Sequence, residues 1–270
     1  VRVGGHPWVY AAPLPRYDFT PLLPQIFADL SAAGLDGIEL MQAVLRPDTA
    51  VDQIGELAQR HRLPVIGSSF NGPMWDRVQH GAILDSAGLV VERLARLGGR
   101  TLGLSVGPLR GGVKDRKTPD QLDAQAELLR KIFVLCSRHQ IVPNLHNHTY
   151  EVEYRQHDLR GTLERLPDAR LGPDLNWLVR AGIDPVAFLR EHGARVVFLH
   201  LRDQTKDGRW SEALGEGDTD FAAIGRVLRE IGFEGHAIIE LAHERGFVTT
   251  RPLRESFRLS RECVRSTLGF

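Results

Sequence analysis

The chain has 270 residues, of which 42% are hydrophobic and 25% charged, a globular balance that excludes extensive disorder. Lysine plus arginine equals aspartate plus glutamate at 34 each, and without a basic excess neither a nucleic acid nor an anionic membrane surface is an expected partner.

Short apolar runs alternate with amphipathic stretches from end to end, the pattern of repeated strand and helix units around a parallel sheet. VRVGGH (1–6) predicts the first strand, and LLPQIFADLSAAG (22–34) is a helix that stops at Gly34. GLDGIEL (34–40) and LPVIGSSF (63–70) predict the second and third strands, with the helix VDQIGELAQRHR (51–62) between them. LDSAGLVVERLARLGG (84–99) ends its helical period at Gly98 and leads into the fourth strand, RTLGLSV (100–106). Thr118 before Pro119 marks a cap and first-turn proline for the long helix PDQLDAQAELLRKIFVLCSRH (119–139). The fifth, sixth and seventh strands are IVPNLHNH (141–148), ARLGPDL (169–175) and RVVFLHL (195–201). The helix DFAAIGRVLREIG (220–232) stops at Gly232, and HAIIEL (236–241) is the eighth strand.

Eight strands without a linker or low-complexity tract predict a single α/β domain over 1–270, a (β/α)8 TIM barrel. The competing doubly wound open sheet lacks a G-x-G-x-x-G after its first strand. Cys136 and Cys263 have no zinc-knuckle or disulfide spacing and read as core thiols. No apolar run approaches the roughly 18 residues that cross a bilayer, and no signal core opens the chain. A cytoplasmic protein is expected, with a removed leader left open by the start at Val1.

In such a barrel the C-terminal strand ends build the active site. Read in order, those ends carry His6 and Trp8, Glu39, Ser69 and Asn71, Ser105, His146 and His148, Asp174, His200 and Glu240. Carboxylates and imidazoles gathered at a buried rim are costly without a partner, and a divalent cation is the economical one. Mixed oxygen and nitrogen ligands suit manganese first, with cobalt, zinc, iron and magnesium as alternatives. Asp174, His200, Glu240 and one of His146 and His148 are the expected ligands. Strand alternation puts both histidines on one face, so that one can ligate while the other moves a proton. Bland readings compete: Asp174 as a helix cap, His200 as a core histidine, Glu151 and Glu153 as solvated charges, and Asp203 as a residue that orients a loop. Arg110, Lys114 and Lys117 read as a solvated loop run rather than an anion site.

The segments DGIEL (36–40), LHNHTYE (145–151), GPDLNWLVRAGIDP (172–185), VVFLHLRD (196–203), GEGDTDF (215–221) and IIEL (238–241) together resemble the sugar isomerase and epimerase superfamily with the xylose isomerase-like barrel, the group that includes inosose dehydratases. The resemblance spans nearly the whole chain. It implies one divalent metal held by strand-five, -six, -seven and -eight residues, which fall here on His146, Asp174, His200 and Glu240, with His148 the alternative in strand five. A histidine where relatives carry glutamate is a departure, since related epimerases use two glutamates as paired bases. A second departure is Trp177, where relatives carry another histidine; an indole there offers a stacking face for a sugar.

The resemblance implies a carbohydrate substrate and proton removal beside a carbonyl, with an enediolate stabilised by the metal. Glu240 is the expected base, and His148 or Glu151 returns the proton. His6, Trp8, Glu39, Trp177 and Asp203 are expected to contact substrate. The leading reading is an isomerase or epimerase. A lyase, either a dehydratase or a β-eliminating enzyme cleaving 3-keto-glycosides, is the runner-up. A multi-metal nuclease and a non-catalytic sugar-binding barrel rank below it. Related barrels often pair, so a homo-oligomer is a further expectation.

Overall fold

The structure is a computed structural model that describes residues 1–14, 17–109, 115–244 and 246–270. Its sheet has seven strands: β1 (Arg2–Gly5), β2 (Gly37–Met41), β3 (Val65–Asn71), β4 (Thr101–Ser105), β5 (Val142–Leu145), β6 (Phe198–Leu201) and β7 (His236–Ile239). Their order is β5-β4-β3-β2-β1-β7-β6, and every neighbouring pair is parallel.

The expected sixth strand is reduced to single bridges. Leu171 pairs with both Leu145 and Val196, and Asp174 pairs with His200, so this segment closes the gap between β5 and β6 without forming a ladder of its own. Pro173 has no N–H to donate, and Gly172 before it has no side chain to pack, which together cut the strand short. The result is the expected TIM barrel, with seven ladder strands and a bridged eighth segment.

The helices that matter for the site are α4 (His80–Arg96), α5 (Pro119–Arg138), α6 (Thr149–Arg165), α7 (Leu175–Arg180), α9 (Phe221–Glu230) and α10 (Leu253–Thr267), with α1 (Trp8–Ala11), α2 (Leu23–Ala32), α3 (Ala50–His61) and α8 (Pro185–His192) completing the ring. The predicted cap at Thr118 forms as a full capping box, since Gln121 N–H donates to Thr118 Oγ1 and Thr118 N–H donates to Gln121 Oε1. Gly34, Gly98 and Gly232 all adopt positive φ just past their helices.

The main core lies between the barrel wall and the helices, where outward strand residues such as Val3, Leu40, Leu102, Leu104, Leu199 and Ile239 meet the helix faces. A smaller cluster of Ile66, Phe198 and Ile238 is separate from it. Gly4 abuts this plug: a Cβ there would lie 2.7 Å from both Ile238 and Ile66. Along β6 and into the following loop, Phe198, His200 and Arg202 share one face, so the strand passes from apolar plug to polar site within two steps. Cys136 is buried, and burial pushes its thiol up to about 12, in keeping with a core role.

Among the described residues no helix is long and apolar enough to cross a membrane. Of the three loop cations, Arg110 and Lys114 lie outside the described residues. Lys117 is not solvated: it is buried, with Nζ 2.5 Å from Asp158 Oδ2 and 2.7 Å from Gln125 Oε1. Gln125 also donates to Asp158 and Thr162, so the cation belongs to an internal network joining α5 to α6.

Candidate functional site

His146 and His148 leave the end of β5 on the same face, with ring centroids 4.9 Å apart, as alternation requires. Asn147 points away and grips the neighbouring segment: Asp174 N–H donates to its Oδ1, and its Nδ2 donates to the Asp174 carbonyl. That clamp sets Asp174 at the rim beside His146. Asp174 is also the cap of α7, because its Oδ1 accepts the N–H groups of Asn176 and Trp177 at 3.1 Å. The cap reading and the ligand reading of this residue are therefore compatible.

One nitrogen each of His146 and His200 and one oxygen of Asp174 lie within 4.8 Å of one another, a geometry open to a shared ion. The Nδ1 atoms of His146 and His200 are 3.0 Å apart, and Glu240 Oε2 lies 3.2 Å from His200 Nδ1. Glu240 thus borders this group through His200 without being part of the three-residue set. Behind His200, Nε2 donates to Glu39 Oε2 at 2.5 Å. A histidine with one nitrogen bound to a buried carboxylate and the other turned toward convergent ligands is the arrangement that orients metal-binding imidazoles. Glu39, expected to contact substrate, is fully buried beneath His200, with Oε2 committed to that ring.

The residue missed in the sequence is Arg202. Its Nε donates to Asp174 Oδ2 and its Nη2 to Glu240 Oε1, both at 2.6 Å, and it is buried. The signal was present: Arg202 stands two positions after His200 and hence on the same face. Its guanidinium alters the charge balance. Three buried carboxylates, Glu39, Asp174 and Glu240, face the single guanidinium of Arg202; a proton on His200 offsets one of the two remaining negative charges, and a divalent cation that displaces that proton would offset both.

The titration behaviour follows this layout. Burial pulls His200 down, but Glu39 and Glu240 on either side outweigh it and raise its pKa to about 9. Burial drives His146 well below the usual histidine range, with the charges of His200, His148 and Arg202 adding to the effect, so His146 stays neutral. For Glu240, burial alone would raise the pKa, yet Arg202, His6 and His200 overcome it and lower it to about 2. Burial also lowers His6. Trp8 N–H donates to His6 Nδ1, which makes that nitrogen an acceptor and leaves Nε2 to face Ser69 Oγ at 3.5 Å.

A cavity of about 90 Å³ opens over these groups, lined among others by His6, Trp8, Ser105, His148, His200 and Glu240. His148 is about a third exposed, with Nδ1 3.1 Å from Tyr150 Oη and 3.3 Å from Ser105 Oγ. Glu151 is buried rather than solvated; it accepts from His148 N–H at 2.6 Å and from Ser105 Oγ at 2.8 Å, and so closes the first turn of α6. Trp177 is half-buried near the site, its ring 5.8 Å from that of His148 and 5.5 Å from the Arg202 guanidinium. Asp203 orients a loop, one of the two readings its sequence allowed. Its two oxygens accept the N–H groups of Gln204, Gly215, Gly217 and Thr219, and it holds the 215–219 turn.

The model of the xylose isomerase-like TIM barrel family matches residues 27–266. The chain belongs to that family. A comparison with curated proteins finds no match. Among solved structures, D-allulose 3-epimerase from Methylomonas sp. superposes with a TM-score of 0.81 at 17% identity, covering 99% of this chain and 98% of that one. A sugar phosphate isomerase/epimerase from Parabacteroides distasonis ATCC 8503 gives 0.77 at 16% identity, covering 98% and 94%. The 3-keto-D-glucoside 4-epimerase from E. coli gives 0.72 at 15% identity, covering 98% and 99%. At these identities the likeness is one of fold.

Proposed function

We propose that this xylose isomerase-like barrel is a divalent-metal-dependent isomerase or epimerase of a sugar or keto-sugar, acting by proton removal beside a carbonyl. The observation that carries the reading is the convergence of His146, Asp174 and His200 on one point, with Glu240 beside them and three buried carboxylates, Glu39, Asp174 and Glu240, facing the single guanidinium of Arg202. These donors fit a divalent ion of the manganese type, with His146, Asp174 and His200 as core ligands and Glu240 completing them beside His200. When bound, such an ion supplies Lewis-acid charge for the oxygen that turns negative as the proton leaves. The three epimerase and isomerase folds compared above support a carbohydrate rather than a nucleic acid as the partner.

The chain's own groups divide the remaining work. A carboxylate held near pKa 2 is a weak proton acceptor, so Glu240 suits charge stabilisation and ligation better than the role of lone base. His148 is a partly exposed imidazole at the cavity, and with Nδ1 turned to Tyr150 and Ser105 its other nitrogen is the one to exchange a proton with substrate. Glu151 fixes that ring's backbone. Trp8 and Trp177 provide apolar faces for the sugar, His6 a polar edge.

The test is incubation of manganese-loaded protein with a panel of ketoses and 3-keto-glycosides in deuterated water. Solvent deuterium at the carbon beside the carbonyl, with the skeleton retained and one ion per chain, is the expected result; His148→Asn should slow exchange by about 10²–10⁴-fold. Release of water or an aglycone would shift the reading to the lyase, and the absence of exchange across the panel would overturn both.

A further inference from the structure

Beneath the groups already described, the cavity floor carries polar atoms that nothing satisfies. Glu39 and Asn144 are both fully buried, yet Glu39 Oε1 and both Oδ1 and Nδ2 of Asn144 have no partner. The other Glu39 oxygen is committed to His200. Asn144 leans over Gly172, where a Cβ would lie 1.9 Å from its Oδ1; any side chain at position 172 would displace it.

The two side chains, from β2 and β5, meet at one point on β4. A Cβ placed on Gly103 would have two atoms within 4 Å, Glu39 Oε1 at 3.5 Å and Asn144 Oδ1 at 3.8 Å. The missing side chain therefore leaves a space about one atom wide, faced by a carboxylate oxygen and a carboxamide. Gly103 and Asn144 line the same cavity as His146, His200 and Glu240, so the space opens into the site rather than into the core. Buried polar groups in natural proteins are almost always paired, and an isolated carboxylate oxygen is among the costliest exceptions.

We propose that Glu39, Asn144 and the gap at Gly103 form a binding site for one hydroxyl-type oxygen at the floor of the cavity. Two acceptors and one donor call for a ligand with O–H groups to give and a lone pair to receive. A water satisfies all three atoms, donating to Glu39 and Asn144 Oδ1 and accepting from Nδ2. A sugar hydroxyl satisfies two, donating to the carboxylate and accepting from the amide. Neither an anion nor an apolar group fits, because Glu39 repels the first and the second leaves every orphan in place. The hydroxyl source rests on the sugar reading above; the water source does not. In either case the occupant sits on the carboxylate that holds His200, so the floor links substrate or solvent to the orientation of that ring.

The test begins with a high-resolution crystal structure of the unliganded wild-type protein and a second after a D-fructose soak. An oxygen peak between Glu39 and Asn144 is expected in the first. If the soak leaves it in place, the occupant is resident water; if sugar density replaces it, the floor is a substrate subsite. An empty gap in the unliganded crystals and after the soak overturns the proposal, and this outcome is independent of whether the protein turns over any sugar. Gly103→Ala fills the gap with contacts of ordinary van der Waals length and should fold. On the ketose that exchanges fastest, it should raise KM at least tenfold with little change in kcat if a substrate hydroxyl binds there, or lower kcat with KM unchanged if water does. Unaltered KM and kcat in a folded G103A would also overturn the proposal, and if the variant fails to fold the crystallographic result decides alone.

Discussion

His200 sits between Glu39 and Glu240, and that position makes its protonation part of any metal equilibrium. With a pKa raised to about 9, the ring carries a proton throughout the neutral range, and an ion that uses Nδ1 must displace it. The sign is fixed: below pH 9 the proton competes, so apparent manganese affinity should rise about tenfold per pH unit between pH 6 and 8, with close to one proton released per ion. Calorimetric titration in buffers of different ionisation heat measures both. Glu39→Gln keeps an acceptor for Nε2–H but removes the charge that holds the proton. It should flatten the pH slope toward pH 8 and weaken binding about 10–100-fold, the usual cost of losing a carboxylate behind a ligating histidine. At this scale the sequence already exposed His146, Asp174, His200 and Glu240, because polar residues at the ends of apolar runs stand out. Arg202 was hidden in plain sight, since an arginine just past a strand reads as solvated until its partners are located. Glu39 stood out as well, but its partner His200 did not, because a strand pattern shows which face a side chain takes and not what lies opposite; Asp203 orients a loop, one of its two readings from the sequence.

The elements divide in the same way. The α5 cap at Thr118 and the stops at Gly34, Gly98 and Gly232 are local signals, complete within four residues, and all formed as read. The helix α6 was not anticipated: its segment has no clean apolar period, and Tyr154, Arg155 and Gln156 take left-handed conformations that interrupt it. Each such non-glycine residue costs about 1–2 kcal/mol, which only tertiary contacts can offset. One contact of this kind is the buried network of Lys117, Gln125, Asp158 and Thr162 that ties α6 to the start of α5. Lys117→Met would leave the Asp158 carboxylate buried without its cation, and urea unfolding should show a loss of about 3–5 kcal/mol. Adding Asp158→Asn to that variant should recover part of the loss, since the neutral amide no longer needs a countercharge. A solvated Lys117 would predict almost no change.

At the scale of the whole molecule, one rim collects side chains from widely separated parts of the chain, His6 at one end and Glu240 near the other. An ion held there ties together β5, the segment at 171–174, β6 and the residue after β7, across the gap that the barrel closes by isolated bridges alone. Manganese at a hundred times its dissociation constant should therefore stabilise the fold by about 2.7 kcal/mol. That corresponds to a rise in Tm of about 5 °C in scanning calorimetry, reversed by a chelator and absent in His146→Ala. The sequence by itself determined the barrel, its chain order and most of the rim residues, because alternation of strand and helix and the polar ends of strands are properties of nearest neighbours along the chain. Only the tertiary structure decided that the sixth segment closes the barrel by bridges, that Arg202 supplies the countercharge to Asp174 and Glu240, and that Glu39 lies under His200. Those facts are distances between residues tens of positions apart, and they are set by how strands register around a closed sheet, which no local pattern encodes.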